Sequence, residues 1–291
     1  MRHGIIILKI NIMNIYTMKS DNFGDGINKL FWEKITKKRI RFNKLKPHYI
    51  TTGSIMCLVN NKSIIFGTGF ISENGDLGGK DFTSNKSIVY KKPLKVISVR
   101  GKLTQDKLLK IGINCPNNYG DPLILFPCIY NKLSIIKDKV VGIIPHYIDK
   151  NTELLEELKK SLQNEGYQVI ILDIECGNNY IKFLDNINKC KYIISSSLHG
   201  IIMGLVYKKE TIFLEFSNKV IGNQFKFLDF FSSLDIEYKY KKIYDSNILE
   251  NKIEMDYKKL ETLGEKMINL IPFIDENRKI ELLEIYNNFY N

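Results

Sequence analysis

The feature that most constrains the fold is a regular alternation of short apolar runs and amphipathic segments in the second half of the chain. The apolar runs predict buried strands at Val140–Ile144, Val169–Leu172, Tyr192–Ile194 and Thr211–Phe216. Helical periodicity between them predicts helices over Thr152–Gln163 and Tyr180–Ile187, and a further apolar helix after Gly200. Strands that alternate with helices form parallel sheets covered on both faces. Ligands bind such sheets at the carboxyl ends of the strands.

The turn after the third of these strands is the strongest candidate for a binding site. Ser195-Ser196-Ser197-Leu198-His199-Gly200 joins a buried strand to a buried helix. The first N–H groups of a helix have no partner within it, so this turn predicts a site for phosphate or carboxylate. A histidine in the first turn can serve there as acid, base or anion donor. The alternative is a capped helix with a histidine packed behind it.

The first half shows the same organisation with weaker signals. A strand is predicted at Asn14–Thr17 and another at Gly4–Leu8, and an exposed loop at Asp76–Lys86. Asp25 stands in a glycine-bearing turn after the former strand, where it is either a helix N-cap or a residue at the mouth of a site. The spacing is not that of a dinucleotide-binding loop.

Three further groups of residues follow predicted strands. Gly67-Thr68-Gly69-Phe70 follows Ile64–Phe66, Arg100 follows Leu94–Val99, and His146 follows Val140–Ile144. An arginine there can donate two parallel hydrogen bonds to a carboxylate or phosphate, or it can anchor a neighbouring loop. Since carboxyl ends of parallel strands share one edge of a sheet, these groups are expected to converge with the serine turn.

Length and pattern predict two α/β lobes with mostly parallel sheets. The chain has 291 residues, 44% of them hydrophobic, which suffices for two ordinary cores. We place the lobes at 1–135 and 136–275, with a C-terminal helix at 276–291 that packs back on the first lobe. No apolar run approaches the ~20 residues that a membrane-spanning helix requires.

Charge and cysteine content are less informative. The net charge of +11 is spread along the chain, and richness in Ile, Asn and Lys accounts for most of it. Five cysteines lack CxxC spacing, which argues against a disulfide framework or a zinc site and favours a reducing cytoplasm. We therefore expect a cytoplasmic protein, with contact at the inner face of the membrane left open, and no nucleic-acid partner.

In order along the chain, these segments resemble the polysaccharide pyruvyl transferases. The resemblance covers residues from about 14 to about 235. The matching segments are Asn22-Phe23-Gly24-Asp25 with Asn28, Gly53-Ser54-Ile55, Gly67-Thr68-Gly69-Phe70, Ser98-Val99-Arg100-Gly101, Gly120-Asp121-Pro122, Pro145-His146-Tyr147, Ser196-Ser197-Leu198-His199-Gly200, and Lys226-Phe227 ahead of Asp229-Phe230. The resemblance implies two Rossmann-like lobes similar to the GT-B glycosyltransferase fold, with the active site in the cleft between them.

The implied reaction moves the pyruvyl group of phosphoenolpyruvate onto a pair of sugar hydroxyls as a ketal. Arg100, His199 and Lys226 are implied to hold the donor, and the donor's two anionic groups suit these cations and a helix N-terminus. We predict His199 as the general acid and Asp25 as the base. The remaining donor-binding candidates are Ser196, Ser197, Leu198 and His146.

The acceptor is expected to bind on the first lobe. The candidates are Asn22, Gly24, Asn28, Gly67 and Gly69. The acceptor sugar is lipid-linked or nucleotide-linked, and the product belongs to a cell-surface or exported glycan. Phosphoenolpyruvate is a co-substrate, so no cofactor and no metal are expected; the oligomeric state is left open.

Two alternatives remain. A GT-B glycosyltransferase that uses a nucleotide sugar would need a carboxylate for the ribose hydroxyls, and Glu215 is the one weak candidate. A non-catalytic protein that binds polyanions would need clustered basic residues. The segment Lys34–Arg41 is the best such patch, although a solvated helix end explains it better.

Overall fold

A computed structural model describes residues 12–74, 91–133, 138–238 and 247–291. Within these ranges the chain is an α/β protein with two all-parallel sheets, of five and four strands, flanked by helices. The predicted α/β class with parallel sheets is therefore confirmed. Residues 4–8, the predicted 76–86 loop and the predicted lobe boundary at 135/136 lie outside the described residues.

The first sheet has the strand order β2-β1-β3-β4-β5. Its strands are β1 (Ile12–Ile15), β2 (Arg39–Phe42), β3 (His48–Ile50), β4 (Ser63–Phe66) and β5 (Lys95–Ser98). The helices α1 (Phe23–Gly26) and α2 (Asn28–Thr36) connect β1 to β2, and α3 (Lys102–Lys110) follows β5. A 3-10 helix, Pro122–Cys128, begins where Asp121 accepts a hydrogen bond from the Leu123 N–H.

The second sheet has the strand order β7-β6-β8-β9. Its strands are β6 (Val140–Ile144), β7 (Gln168–Ile171), β8 (Tyr192–Ser195) and β9 (Glu210–Phe213). The connecting helices are α4 (Glu153–Asn164), α5 (Tyr180–Lys189) and α6 (Leu198–Val206). Every residue of β6 and α6 is buried, which explains their continuous apolar sequences.

Three helices complete the described chain: α7 (Phe225–Ser232), α8 (Tyr257–Leu270) and α9 (Glu276–Tyr290). The Arg278 guanidinium in α9 donates to the backbone oxygens of Lys34 and Ile35, each at 2.8 Å. The Tyr290 hydroxyl, near the end of α9, donates to the Val206 oxygen at 3.4 Å. The last helix thus contacts elements that belong to both sheets. No described helix combines the length and apolar content needed to cross a bilayer.

One large apolar cluster joins residues from both sheets and the C-terminal helices. The Phe23 ring, just after β1, lies 5.4 Å from Phe126 and 5.1 Å from Phe183 of α5, measured between ring centroids. Burial of each such side chain contributes roughly 1.5–3 kcal/mol to folding. The two sheets are therefore held together by a shared core.

Three sequence-based expectations need correction. The basic segment Lys34–Arg41 is not one solvated helix end: α2 ends at Thr36, and residues 39–42 form β2, the edge strand beside β1. The strand predicted at Asn14–Thr17 lies earlier, at Ile12–Ile15, where it pairs with β2. The amphipathic pattern over residues 248–271 predicts one helix, but the structure has a 3-10 turn at Ile248–Glu250 and then α8, which begins after the N-cap Asp256.

Candidate active site

A cavity of about 270 Å³, here called the first cavity, lies at the carboxyl ends of strands from both sheets. Its lining residues are Met18, Asn22, Asp25, Ser54, Ile55, Ile71, His146, Tyr147, Ser197, Leu198, His199, Ile221 and Lys226. Several of the predicted site residues therefore meet in one place. The polar members come from segments that follow β1, β3, β6, β8 and β9.

The start of α6 forms one wall of the first cavity. Ser197 occupies the N-cap position, and its hydroxyl makes no hydrogen bond to any described residue. The Ser195 hydroxyl is occupied, because it donates to the Ile144 oxygen at 2.7 Å. The first N–H groups of α6 and the Ser197 hydroxyl are therefore available as donors to an anion.

Ser196 belongs to a buried network centred on Asp149. The Ser196 hydroxyl donates to Asp149 Oδ2 at 2.8 Å and accepts from the His146 N–H at 2.8 Å. The Ser217 hydroxyl donates to Asp149 Oδ1. Asp149 is fully buried, so this one carboxylate fixes the chain after β6, β8 and β9. The hydroxyl proton of Ser196 is therefore engaged in a hydrogen bond within the protein.

His199 lies in the first turn of α6, with 7% of its surface exposed. Its Nε2 is buried and has no hydrogen-bond partner among the described residues. The ring lies against Gly24, where an added Cβ would stand 1.8 Å from Nδ1. Burial, together with the positive charges of Lys226 and Arg100, lowers the pKa of His199 to about 3. The imidazole of the free protein is therefore neutral at pH 7.

Lys226, in α7, is 7% exposed and lines the first cavity. Its ammonium group makes no hydrogen bond or salt bridge to any residue in the described ranges, although it lies 5.2 Å from the centroid of the Phe227 ring. Burial, together with the charge of Arg100, lowers the pKa of Lys226 to about 8; Asp25, Asp149 and Glu215 oppose this shift. The side chain is still mostly cationic at pH 7.

His146 and Tyr147 follow β6 and line the first cavity as well. Their ring centroids are 4.4 Å apart, and the Ile148 N–H faces His146 Nδ1 at 3.4 Å. Burial and the charge of Lys226 lower the pKa of His146 to about 3. This neutral ring forms a side wall of the first cavity.

Asp25 lies in α1 and is partly buried. Burial raises the pKa of its carboxyl to about 6, and Lys226 opposes that shift. A Cβ at Gly53 would stand 2.5 Å from Asp25 Oδ1, and the φ of +107° at Gly53 also favours glycine. A carboxylate with a pKa near 6 is suited to act as a general base at neutral pH.

Arg100 lies behind the lining residues and is fully buried. Its Nε donates to Asp229 Oδ2 at 2.9 Å, its Nη2 to the Phe70 oxygen at 2.5 Å, and its Nη1 to Ser54 Oγ at 2.6 Å. Asp229 also accepts from the N–H and hydroxyl of Thr104. Arg100 thus reaches the first cavity through Ser54 and through its positive field.

Comparison with known proteins adds the deciding observation. A family model for polysaccharide pyruvyl transferase matches residues 25–218 of this chain. The chain belongs to that family. It is also similar to an uncharacterized protein of Acanthamoeba polyphaga mimivirus, with 29% identity over 280 residues that span 92% of this chain and 88% of the relative. Family membership implies a pyruvyl transferase enzyme.

In this polysaccharide pyruvyl transferase family member, the residues predicted for the acceptor are scattered. Asn22 lines the first cavity, and Gly24 supports the His199 ring. Asn28 is fully buried, with its amide donating to the Gly24 and Asp25 oxygens. Gly67 and Gly69 pack against other residues instead: a Cβ would stand 2.5 Å from Pro122 Cδ and 2.6 Å from Arg100 Cζ, respectively.

Four residues of the site were given no role from the sequence. Ser54 and Tyr147 line the first cavity, while Asp229 and Asp149 act from behind it. The first three lie inside segments that carried the family resemblance, so a signal existed. Asp149 has no such signal, because only the folded chain brings it to Ser196, 47 residues away.

Proposed function

We propose that this chain transfers the pyruvyl group of phosphoenolpyruvate onto two hydroxyls of a sugar, as a cyclic ketal, during synthesis of a surface or exported glycan. The proposal rests chiefly on one observation: a buried lysine, Lys226, which has no salt bridge among the described residues, lines the same cavity as the N-terminus of α6. A buried cation without an ion-pair partner is costly, and a bound anion removes that cost.

We also propose that the two sheets form the lobes of a GT-B-like fold and that the first cavity belongs to the cleft between them. The second lobe then supplies most donor contacts, because His146, Ser197, His199 and Lys226 all follow β6 or later elements. The first lobe supplies Asp25 and receives the acceptor. The reaction would take place in the cytoplasm, at the inner face of the membrane when the acceptor is lipid-linked.

The donor's anionic groups have suitable partners. The phosphate takes the N–H groups at the start of α6, the Ser197 hydroxyl and the Lys226 ammonium group, all of which lie at the first cavity. Arg100 contributes its field and orients Ser54. A direct contact between Arg100 and the donor stays a prediction. Asp149 and Ser196 position the donor-binding turn rather than touch the donor.

The chemistry balances with one acid and one base. His199 delivers a proton to the methylene carbon, which becomes a methyl group, and the central carbon takes on oxocarbenium-like character. The first sugar hydroxyl attacks that carbon while Asp25 accepts its proton. The second hydroxyl then displaces phosphate, which carries away the second proton as inorganic phosphate. The isoleucines Ile55, Ile71 and Ile221 line the cavity and limit the access of water to the oxocarbenium-like carbon.

For this scheme to work, His199 must become protonated when the donor binds. The free imidazole is neutral because burial and two neighbouring cations depress its pKa. A bound phosphate and carboxylate reverse the sign of the local field, which raises the pKa of His199. We therefore expect phosphoenolpyruvate to bind together with a proton from solution. That proton is the one later delivered to the methylene carbon.

The test combines turnover with proton uptake. Phosphate release from phosphoenolpyruvate is measured across a panel of sugar acceptors for the wild type and His199→Gln. We expect the variant to lose on the order of 10²–10⁴-fold in kcat. Calorimetry at pH 7 in buffers of different ionisation enthalpy should show proton uptake with the donor in the wild type, and none in His199→Gln.

His48→Gln is the matched control, because His48 is also buried but both of its ring nitrogens are hydrogen-bonded, to Lys46 and Ser63. It should keep kcat and proton uptake. Equal activity of His199→Gln and the wild type would refute the assigned acid. Consumption of a nucleotide sugar, without phosphate release from phosphoenolpyruvate, would replace the proposal with the glycosyltransferase alternative. Polyanion binding without turnover of either donor would favour a non-catalytic protein.

A further inference from the structure

A second cavity of about 460 Å³ adjoins the first on the side of the first sheet. Two residues, Met18 and Asp25, line both cavities. The proposed donor contacts, Ser197, His199 and Lys226, line only the first. A molecule in the second cavity would therefore meet a molecule in the first at the Asp25 carboxylate.

The second cavity has an aromatic wall. Phe42, the last residue of β2, lines it and is 46% exposed. Ile40, two residues earlier in the same strand, is only 4% exposed and packs in the core. An exposed phenyl ring inside a cavity offers an apolar face, and the C–H face of a pyranose ring is a suitable partner for it.

The opposite wall is polar and fixed in place. It includes Lys19, Ser20 and Asp21, whose side chains can serve sugar hydroxyls as donors and acceptors. The Ser20 hydroxyl accepts from the Asn22 N–H at 3.0 Å, and the Asp21 oxygen accepts from the Gly177 N–H at 3.0 Å. Gly26 allows close packing, because a Cβ there would stand 2.4 Å from the Ser20 oxygen. The loop is thus ordered before any ligand binds.

We propose that the second cavity is the acceptor subsite: it holds one pyranose ring against Phe42 and directs two ring hydroxyls toward Asp25. This inference rests on the proposed function. It replaces Asn28, Gly67 and Gly69, whose surroundings leave them no room for a sugar, with Phe42 and the loop at residues 17–21. The rest of the glycan extends away from the donor.

The experiment uses methyl pyranosides and their N-acetylated forms as probes, with three variants of the full chain. Phe42→Ala removes the ring, Phe42→Trp keeps an aromatic face, and Ile280→Ala is the matched control at an exposed apolar position in α9. For a pyranoside that accepts pyruvyl, Phe42→Ala should raise the acceptor KM roughly tenfold and leave the donor KM unchanged. Phe42→Trp should restore the acceptor KM, and Ile280→Ala should match the wild type.

Fluorescence gives a readout that does not require turnover. The single native tryptophan, Trp32, is fully buried, so Phe42→Trp adds an exposed reporter at the cavity. Titration with pyranosides alone should change its emission saturably and leave the wild-type emission unchanged. An unchanged acceptor KM in Phe42→Ala, or a reporter that responds to no pyranoside, overturns the acceptor subsite. Failure of phosphoenolpyruvate to bind in calorimetry refutes the proposed function instead, whatever the reporter shows.

Discussion

Arg100 and Lys226 are both buried cations on the same side of the molecule, but their charges are balanced differently. Arg100 has a carboxylate, a hydroxyl and a backbone oxygen within 2.5–2.9 Å. Lys226 has no hydrogen bond or ion pair within the described ranges, and its pKa is lowered to about 8 chiefly by burial. The charge of Arg100 is therefore balanced by partners within the protein, whereas the charge of Lys226 has no such partner among the described residues.

The difference supports a structural role for the charge of Arg100 and the proposed binding role for the charge of Lys226. Arg100 follows β5 of the first sheet, whereas Asp229 lies in α7 after the second sheet, so their ion pair links distant parts of the chain. Breaking such a pair leaves a buried charge uncompensated. Lys226 carries that cost in the free protein, and an anionic ligand relieves it. Pairing, rather than charge alone, indicates which buried cation awaits a ligand.

The largest expected effect comes from breaking the buried ion pair between Arg100 and Asp229. Asp229→Ala leaves the Arg100 guanidinium buried without its carboxylate and should lower the free energy of unfolding by about 3–5 kcal/mol. Urea denaturation measures this change. Lys102→Met, which removes the exposed ion pair with Asp235, is the control and should cost less than about 1 kcal/mol. Similar losses in the two variants would show that the buried pair has no special structural role.

The opposite effect on stability is expected when the unpaired cation, Lys226, is removed. Lys226→Met should weaken phosphoenolpyruvate binding by about ten- to a hundredfold, since a charge-assisted hydrogen bond is lost. It should also stabilise the free protein at pH 7. The pKa of Lys226 falls from 10.5 to about 8 on folding, so the folded state binds this proton more weakly than the unfolded state.

The lowered pKa of Lys226 determines the direction in which the stability of the protein changes with pH. Wild-type stability should rise relative to Lys226→Met as pH increases from about 8 to 10.5, because the unfolded state still holds the proton over that range. Paired urea denaturation series across this range measure the difference. A Lys226→Met variant less stable than the wild type at pH 7 would contradict the assignment of Lys226 as an unpaired charge.

Two glycines give a smaller and more selective comparison. A Cβ at Gly24 would meet His199, and a Cβ at Gly69 would meet the Arg100–Asp229 pair. Gly69→Ala should therefore cost about 1–2 kcal/mol of stability through overpacking. Gly24→Ala should displace the His199 ring into the first cavity and lower kcat with a smaller loss of stability. Thermal unfolding and phosphate release measure these effects on both variants. A larger loss of stability in Gly24→Ala, or a larger loss of kcat in Gly69→Ala, would contradict this expectation.

How well the sequence predicted the fold depended on burial. The strands β6 and β8 were located to within one residue because continuous apolar runs mark strands that are covered on both faces. The edge strand Arg39–Phe42 was missed because only Ile40 of its four residues is buried, so its sequence resembles a basic helix end. Local pattern cannot distinguish a solvated helix from an edge strand.

The site shows a similar limit. Sequence motifs identified Asp25, His146 and His199, which lie in segments that follow strands and which line one cavity. They could not reveal that Arg100 is neutralised by Asp229, because 129 residues separate the two. Nor could they show that the amide of Asn28 is used by the backbone. Partners that only tertiary structure brings together decide whether a polar residue is available to a ligand.

The Asp149 carboxylate, which joins the segments after three strands of the second sheet, has an evolutionary consequence. In the proposed function, this carboxylate fixes the turn that binds the donor phosphate, whereas the proposed acceptor contacts lie in the loop that carries Lys19, Ser20 and Asp21. In the course of evolution, substitutions in that loop are therefore expected to change which saccharide is modified while the phosphate-binding turn stays in place.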